Sequence, residues 1–400
     1  MESPRSPSQL LRSPNPVRTK VADELYGQMT VQHTNTLAFV VDNYSDIVSN
    51  FNELSEYGRD LFEDLSIENL IFKSTTPILV KEKLAVFDAA YVTPNYTEHR
   101  VTVMLAPTCQ YAPLMGRLAE RSGFGPTILA EIEEPEITFR NLLEQAGIDF
   151  IQRSSIYKVM IMPPISLCSF HSLAVHNMHK AMNVQRYEHH VCFIMLQLLC
   201  ALKVLQSDGV EHLSNNFKEF LLTYKAVDLK NALEDLQQLP KLMFLRETME
   251  EDFDDRMSTH TTLSMDSPRV GVCRYALRAL CTLLNHKMHN TVPDILDRTE
   301  FSRPLKKCAE LLHLDKSSSL TEAKNLIEFT FFCGRTNFES EFDAKLWLDE
   351  RRAHEVNRLV RLLADRSDCL SESRERMYIQ FLLSATPRTI YNTFRQYIKL

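Results

Sequence analysis

Glycine is scarce in this chain. Nine glycines occur in 400 residues, against a usual share of about 7%, and none lies between Gly58 and Gly116. A site that cradles phosphates on glycine-rich backbone is disfavoured over that whole stretch, because side chains hold the backbone away from a ligand. Paired cysteine motifs are missing too. The nine cysteines are scattered, and no Cys-x-x-Cys occurs. That excludes a disulfide framework and predicts reduced thiols in the cytoplasm. Basic excess is absent: a net charge of -7 argues against a nucleic-acid footprint and against electrostatic attachment to anionic membrane. No apolar signal core stands at the N-terminus. Apolar runs such as Val191-Cys192-Phe193-Ile194-Met195-Leu196 are broken by polar residues, short of the ~18 residues of a membrane span. The expectation is a soluble, cytoplasmic chain without membrane insertion.

A hydrophobic content of 44% fits one large bilobal domain or two ordinary ones. Residues 1–18 are rich in proline, serine and arginine and are predicted to be a disordered tail. From Val21 to Leu54 the pattern is helical. Leu37, Val40, Tyr44, Ile47, Phe51 and Leu54 follow in steps of three and four, a heptad stripe that suits either a dimer or an intramolecular bundle. Between Leu70 and Ala106 short apolar runs alternate with Thr-Thr-Pro, Thr-Pro-Asn and Ala-Pro-Thr, predicting an antiparallel meander. A helix is expected over Ile137–Ala146 and a strand over Ile156–Met162, stopped by Pro163-Pro164. Beyond it the periodicity is helical almost to the end. The acidic stretch Glu247–Asp255 reads as a loop.

The stretch Gly209-Val210-Glu211-His212-Leu213-Ser214-Asn215-Asn216-Phe217-Lys218-Glu219-Phe220-Leu221-Leu222 follows the amphipathic run Tyr187–Leu205. This order resembles a protein kinase's catalytic loop, where His-Arg-Asp is followed five residues later by an Asn; the Asp takes the substrate proton and the Asn holds a metal ion. Ser214 occupies the Asp position and Glu219 the Asn position. Serine cannot accept a proton as a carboxylate does near neutral pH. His212 survives, as a residue expected to pack the loop. The predicted third strand, Arg100–Ala106, lacks the phosphate-contacting lysine, although Lys81 and Lys83 lie on the preceding segment. Asp228-Leu229-Lys230 is the nearest approach to the metal-binding Asp-Phe-Gly turn, with Lys230 where the glycine belongs. A small β-rich half followed by a larger helical half is also the kinase order.

Further blocks sharpen the resemblance. Tyr187-Glu188-His189-His190-Val191-Cys192-Phe193-Ile194, Leu346-Trp347-Leu348-Asp349-Glu350-Arg351-Arg352-Ala353 and Tyr378-Ile379-Gln380-Phe381-Leu382-Leu383-Ser384-Ala385-Thr386-Pro387 resemble the PEAK/Pragmin family of pseudokinases over roughly residues 20–400. The resemblance implies an α+β, protein kinase-like bilobal fold, with a small antiparallel N-lobe and a helical C-lobe. Flanking N- and C-terminal helices would form a bundle that pairs two protomers. The implied organisation is a tail (1–18), an N-terminal dimerisation helix (19–65), an N-lobe (66–165), a C-lobe (166–338) and C-terminal dimerisation helices (339–400). The implied dimerisation residues are Leu37, Val40, Tyr44, Ile47, Phe51 and Leu54, with Leu346, Trp347, Val356, Leu359 and Leu363. Trp347, the only tryptophan, suits an interface anchor or a core position. The implied function is a catalytically inactive scaffold without cofactor or metal. It would pair with itself or a related pseudokinase and assemble signalling proteins such as tyrosine kinases or adaptors. The alternative is an atypical kinase or nucleotide-binding switch using Lys81 or Lys83, Glu219 and Asp228.

Two other features have plain readings. Cys168, His171, His176 and His179 match no zinc spacing and read as a loop with incidental histidines. His189 and His190 read as surface residues of the following helix, and Cys192, Cys200, Cys273 and Cys281 as small apolar side chains.

Overall fold

The computed structural model describes residues 16–43, 59–62, 64–81, 84–107, 123–146, 156–180, 183–214, 217, 219–225, 238–245, 269–287, 291–365 and 373–398. The chain divides into two compact units, one of residues 1–51 and 338–391, the other of residues 52–337 and 392–400.

The larger unit begins with an antiparallel sheet of β1 (Leu70–Phe72), β2 (Leu79–Lys81), β3 (Leu84–Val92), β4 (Glu98–Pro107), β5 (Ala130–Pro135) and β6 (Ile156–Met162). Its order is β1-β3-β4-β6-β5, with β2 pairing on β3 beyond β1. Alternation along the central strands divides the side chains between two faces. Val101, Val103 and Leu105 of β4 join Phe87, Tyr91, Val159 and Ile161 in one core cluster, closed by Phe139 and Leu143 of α2 (Glu136–Gln145). Met104 and Ala106 turn to the other face.

After β6 the chain makes β7 (Ser166–Cys168), α3 (Phe170–Lys180) and α4 (Val184–Ser207), then β8 (His212–Ser214), β9 (Phe220–Tyr224), β10 (Lys241–Phe244) and β11 (Arg269–Gly271). The helices α5 (Val272–Leu283), α6 (Ser302–Leu314) and α7 (Ser319–Glu328) follow. α4 packs against α5 and α7. By length and composition α4 is apolar enough to cross a membrane, contrary to the sequence expectation, and its most apolar window is 72% buried. Asn183 caps it, its side chain accepting from the Gln185 and Arg186 amides.

α3 corrects the expected loop around the four candidate zinc ligands. Ser169 starts this helix: its hydroxyl accepts from the Ser172 amide at 3.1 Å and its carbonyl from the Leu173 amide at 3.1 Å. No cluster of three or more metal-ligating side chains occurs among the described residues.

The smaller unit contains α1 (Pro16–Asp42), α8 (Glu341–Asp365), α9 (Ser373–Ser384) and most of α10 (Pro387–Thr393). α1 packs on both α8 and α9. It starts at Pro16, inside the expected tail. A proline is tolerated in the first helical turn because the amide it lacks would have no helical partner there. Leu37 and Val40 are buried, at 0% and 5% exposure. Tyr44, Ile47, Phe51 and Leu54 lie outside the described residues. On α8, Leu359 is buried and Leu346, Trp347 and Val356 are half-buried, while the side chain of Leu363 is outside the described residues. Trp347 meets Phe338 and Phe381 edge-on.

Candidate functional site

The kinase-type cleft lies between the second face of the sheet and the β9–β10 hairpin. β9 pairs with β10 on one side and β7 on the other, and Leu221 stands opposite Met243 in the ladder. These two side chains and Leu245 join Leu84, Val86, Met104, Ala106, Met160, Met162 and Leu167 in one buried cluster, with Leu79 and Ile165 packed at its margin. Val86, Met104 and Met160 have no exposure. Four methionines make this filling, and their unbranched, polarisable side chains suit irregular gaps between a sheet and a hairpin. The space between this face of the sheet and the β9–β10 pair is apolar core.

Only residues 82 and 83 separate β2 from β3, too few for a six-residue glycine-rich loop. β4 lies between β3 and β6 and carries no lysine. Its one strongly basic side chain, Arg100, is held by Asp88 across the hairpin, with Nε and Nη2 donating to the two carboxylate oxygens at 2.9 Å each. Lys81 ends the short strand β2, and Lys83 is outside the described residues.

The degenerate loop connects β8 to β9. β8 pairs with β11, so that Ser214 stands opposite Arg269 and His212 opposite Gly271. The Ser214 side chain is not described. Leu213 is buried, at 3% exposure, whereas His212 is exposed. The packing role expected of His212 is therefore corrected: strand alternation turns its neighbour inward instead. Phe217 takes a left-handed conformation, φ 56°, and packs against Phe170 of α3 and Tyr275 of α5. Glu219, at the metal-binding position, is 9% exposed. Tyr275 Oη donates to its Oε2 at 3.4 Å, and Leu245 N donates to its carbonyl at 2.8 Å. Burial first, then this carboxylate, raises the Tyr275 phenol well above its usual value, so Tyr275 is a neutral donor to Glu219. Asp228 falls in the connection between β9 and β10, outside the described residues, as does the acidic stretch 247–255 between β10 and β11.

Beneath the hairpin, Gln197 of α4 is buried. Its Nε2 donates to Pro240 O at 3.0 Å and its Oε1 accepts from Leu242 N at 2.9 Å. His190 of α4 is 1% exposed and pairs with Tyr224 Oη at 2.9 Å. His189 stacks on Phe331. Both correct the surface reading: α4 is enclosed by neighbours, so an adjacent pair pointing apart still meets protein on both sides. Phe170, Phe217, Tyr275 and Gln197 escaped the sequence reading because each acts through a residue distant in the chain. Phe217 inside the degenerate loop was the one available hint.

An antiparallel sheet closed on a β-hairpin, followed by helices around one central apolar helix, defines a protein kinase-like, bilobal α+β fold. In that fold the chain is similar to the crystal structure of the pseudokinase PEAK1 (Sugen Kinase 269): the TM-score is 0.55 at 14% sequence identity, covering 93% of this chain and 99% of that one. The expectation of a PEAK-like pseudokinase fold is met at the level of fold. No protein-family model and no curated protein sequence matches the chain.

Proposed function

We infer that this protein is a catalytically inactive, kinase-like scaffold that self-associates through its flanking helices. The inactive reading is supported by the buried apolar cluster of Val86, Met104, Met160, Leu221 and Met243 between the sheet and the β9–β10 pair, where a kinase-like fold would seat a nucleotide. Ser214 supplies no carboxylate base, Glu219 already has a donor in Tyr275, and β4 offers no lysine.

Self-association is supported by a face of α1 that α8 and α9 leave open. Val21, Leu25, Met29 and Phe39 are 63%, 56%, 47% and 65% exposed, and they share one side of the helix by its 3.6-residue period. A second copy of this chain, or a related pseudokinase, is the proposed occupant. Signalling proteins, including tyrosine kinases or adaptors, are the proposed clients, in the cytoplasm. Leu37 and Val40 are buried in the chain's own fold, so substituting them would test folding instead of pairing.

Light scattering on the eluting protein tests the pairing. Wild type is expected at twice the monomer mass, and Leu25→Asp with Met29→Asp at the monomer mass with unchanged helicity. A monomeric wild type would refute self-association. Thermal unfolding with and without ATP and magnesium tests the inactive reading. An unchanged melting temperature is expected, and nucleotide-dependent stabilisation with phosphoryl transfer would favour the atypical-kinase alternative.

A further inference from the structure

Tyr26 sits at a polar junction between α1 and α8. Its hydroxyl donates to Asp349 Oδ2 at 2.6 Å. Lys345 Nζ donates to the same oxygen at 2.9 Å and to Tyr26 Oη at 3.3 Å, and lies 4.5 Å from the centre of the phenol ring. On the other side of Asp349, Arg352 Nη1 is 3.6 Å from Oδ1, while Arg352 Nε and Nη2 donate to the carbonyls of Leu382 and Ala385. Asp349 is 9% exposed. Its one charge is thus already shared by two cations and a neutral hydroxyl. Burial, and then the Asp349 hydrogen bond, raise the Tyr26 phenol above its usual value, so the hydroxyl keeps its proton.

This end of α1 is lightly held. Residues 20–26 are all exposed, and from residue 20 onward the first buried residue is Leu37. Gly27 follows Tyr26 inside the helix, where glycine costs roughly 0.5–1 kcal/mol relative to alanine. A Cβ built at Gly27 would meet nothing within 4 Å, so packing does not require glycine there. The helix has a weak point beside a 38% exposed tyrosine. The local sequence is Asp23-Glu24-Leu25-Tyr26-Gly27. Two exposed carboxylates and an exposed apolar side chain immediately before a tyrosine form the kind of charge pattern by which kinases select substrates.

We propose that Tyr26 is a phosphate acceptor for an acid-preferring tyrosine kinase, and that its phosphorylation releases the N-terminal half of α1 from α8. Tyr26 Oη would attack the γ-phosphorus of ATP held by that kinase. The bond from phosphorus to the β–γ bridging oxygen breaks, ADP leaves with the electron pair, and the phenol proton passes to the kinase's base. The product carries about -1.5 to -2 charges where a donor stood. A near-buried carboxylate then faces a dianion; Arg352 reaches only the far oxygen of Asp349, and Lys345 cannot balance both groups. The contact turns repulsive while Leu37 and Val40 keep the far end of α1 in place. Release would register in a monomeric chain as well as in a paired one, so it can fail without self-association failing.

The full chain, incubated with a purified acid-preferring tyrosine kinase domain, ATP and magnesium, is expected to gain one phosphate that peptide mapping places on Tyr26. Amides 20–36 are then expected to exchange hydrogen for deuterium at least about tenfold faster. A tyrosine phosphatase should restore the original rate. Tyr26→Phe should accept no phosphate in that peptide. Phosphorylated Asp349→Asn should keep α1 protected. Absence of phosphate on Tyr26 would overturn the acceptor assignment. Unchanged exchange in the phosphorylated wild type would overturn the switch, and that result needs no variant to fold.

Discussion

Acidification should weaken this protein through one histidine. His190 is enclosed between α4 and β9, 1% exposed, with its ring stacked on Tyr224 at 6.1 Å between centres. Nε2 shares a proton with Tyr224 Oη, and the buried Nδ1 has no hydrogen-bond partner. A second proton would create a buried imidazolium whose Nδ1 has no hydrogen-bond partner among the described residues. Burial, and secondarily the neighbouring His189, lower the His190 pKa from 6.5 to about 3. The sign follows from proton binding. The unfolded chain protonates this histidine near its ordinary value, while the folded chain resists until about pH 3. Between those limits the unfolded state holds more protons, so stability is full above the ordinary value and falls as pH is lowered. Those two pKa values give a loss of roughly 2 kcal/mol between about pH 7 and about pH 5. Urea unfolding of wild type and His190→Gln at both pH values isolates the effect, because the other titrating groups cancel between the two proteins. The glutamine amide can still reach Tyr224. Wild type should lose about 2 kcal/mol more than the variant on acidification. Equal losses, within about 0.5 kcal/mol, would refute a buried neutral His190.

Other consequences concern packing and buried charge. Met104→Ala or Met243→Ala, in the cleft cluster, should each cost about 2–5 kcal/mol in chemical denaturation; a neutral result would mean that the cleft is open. Half-buried Lys324 is the ion-pair partner of the buried Glu328, at 2.6 Å. Lys324→Met should therefore destabilise by about 3–5 kcal/mol, and adding Glu328→Leu should restore most of that loss, as read by thermal unfolding of the single and double variants. Arg352→Ala removes the hydrogen bonds to the carbonyls of Leu382, in the last turn of α9, and of Ala385 just after it, and one partner of Asp349. A loss of about 2 kcal/mol is expected, together with faster amide exchange at the end of α9.

Local periodicity carried much of the architecture. The central helix α4 and the strand after it were legible because apolar residues recur at helical and then strand spacing around a glycine, here Gly209 at φ 85°. The strand Ile156–Met162 and its proline stop were legible for the same reason. The serine at position 214 and the absence of lysine from Arg100–Ala106 were plain from residue type. The heptad stripe correctly marked Leu37 and Val40 as apolar positions to be covered. It could not say by what, because an intramolecular bundle and a dimer place the same demand on a helix face.

What the sequence determined by itself is therefore chemical: which functional groups the kinase frame lacks, and which helices and strands its periodicities favour. Only the tertiary structure decided what stands in their place. One buried apolar cluster draws its side chains from β3, β4, β6, β9 and β10, and no local pattern relates residue 86 to residue 243. His190 is interior because its helix is surrounded, although Glu188 and His189 immediately before it are polar. α1 hides Leu37 and leaves Leu25 open because α8 and α9 cover one side of it. Burial depends on contacts between residues far apart in the chain, and a sequence read segment by segment holds only the demand for them.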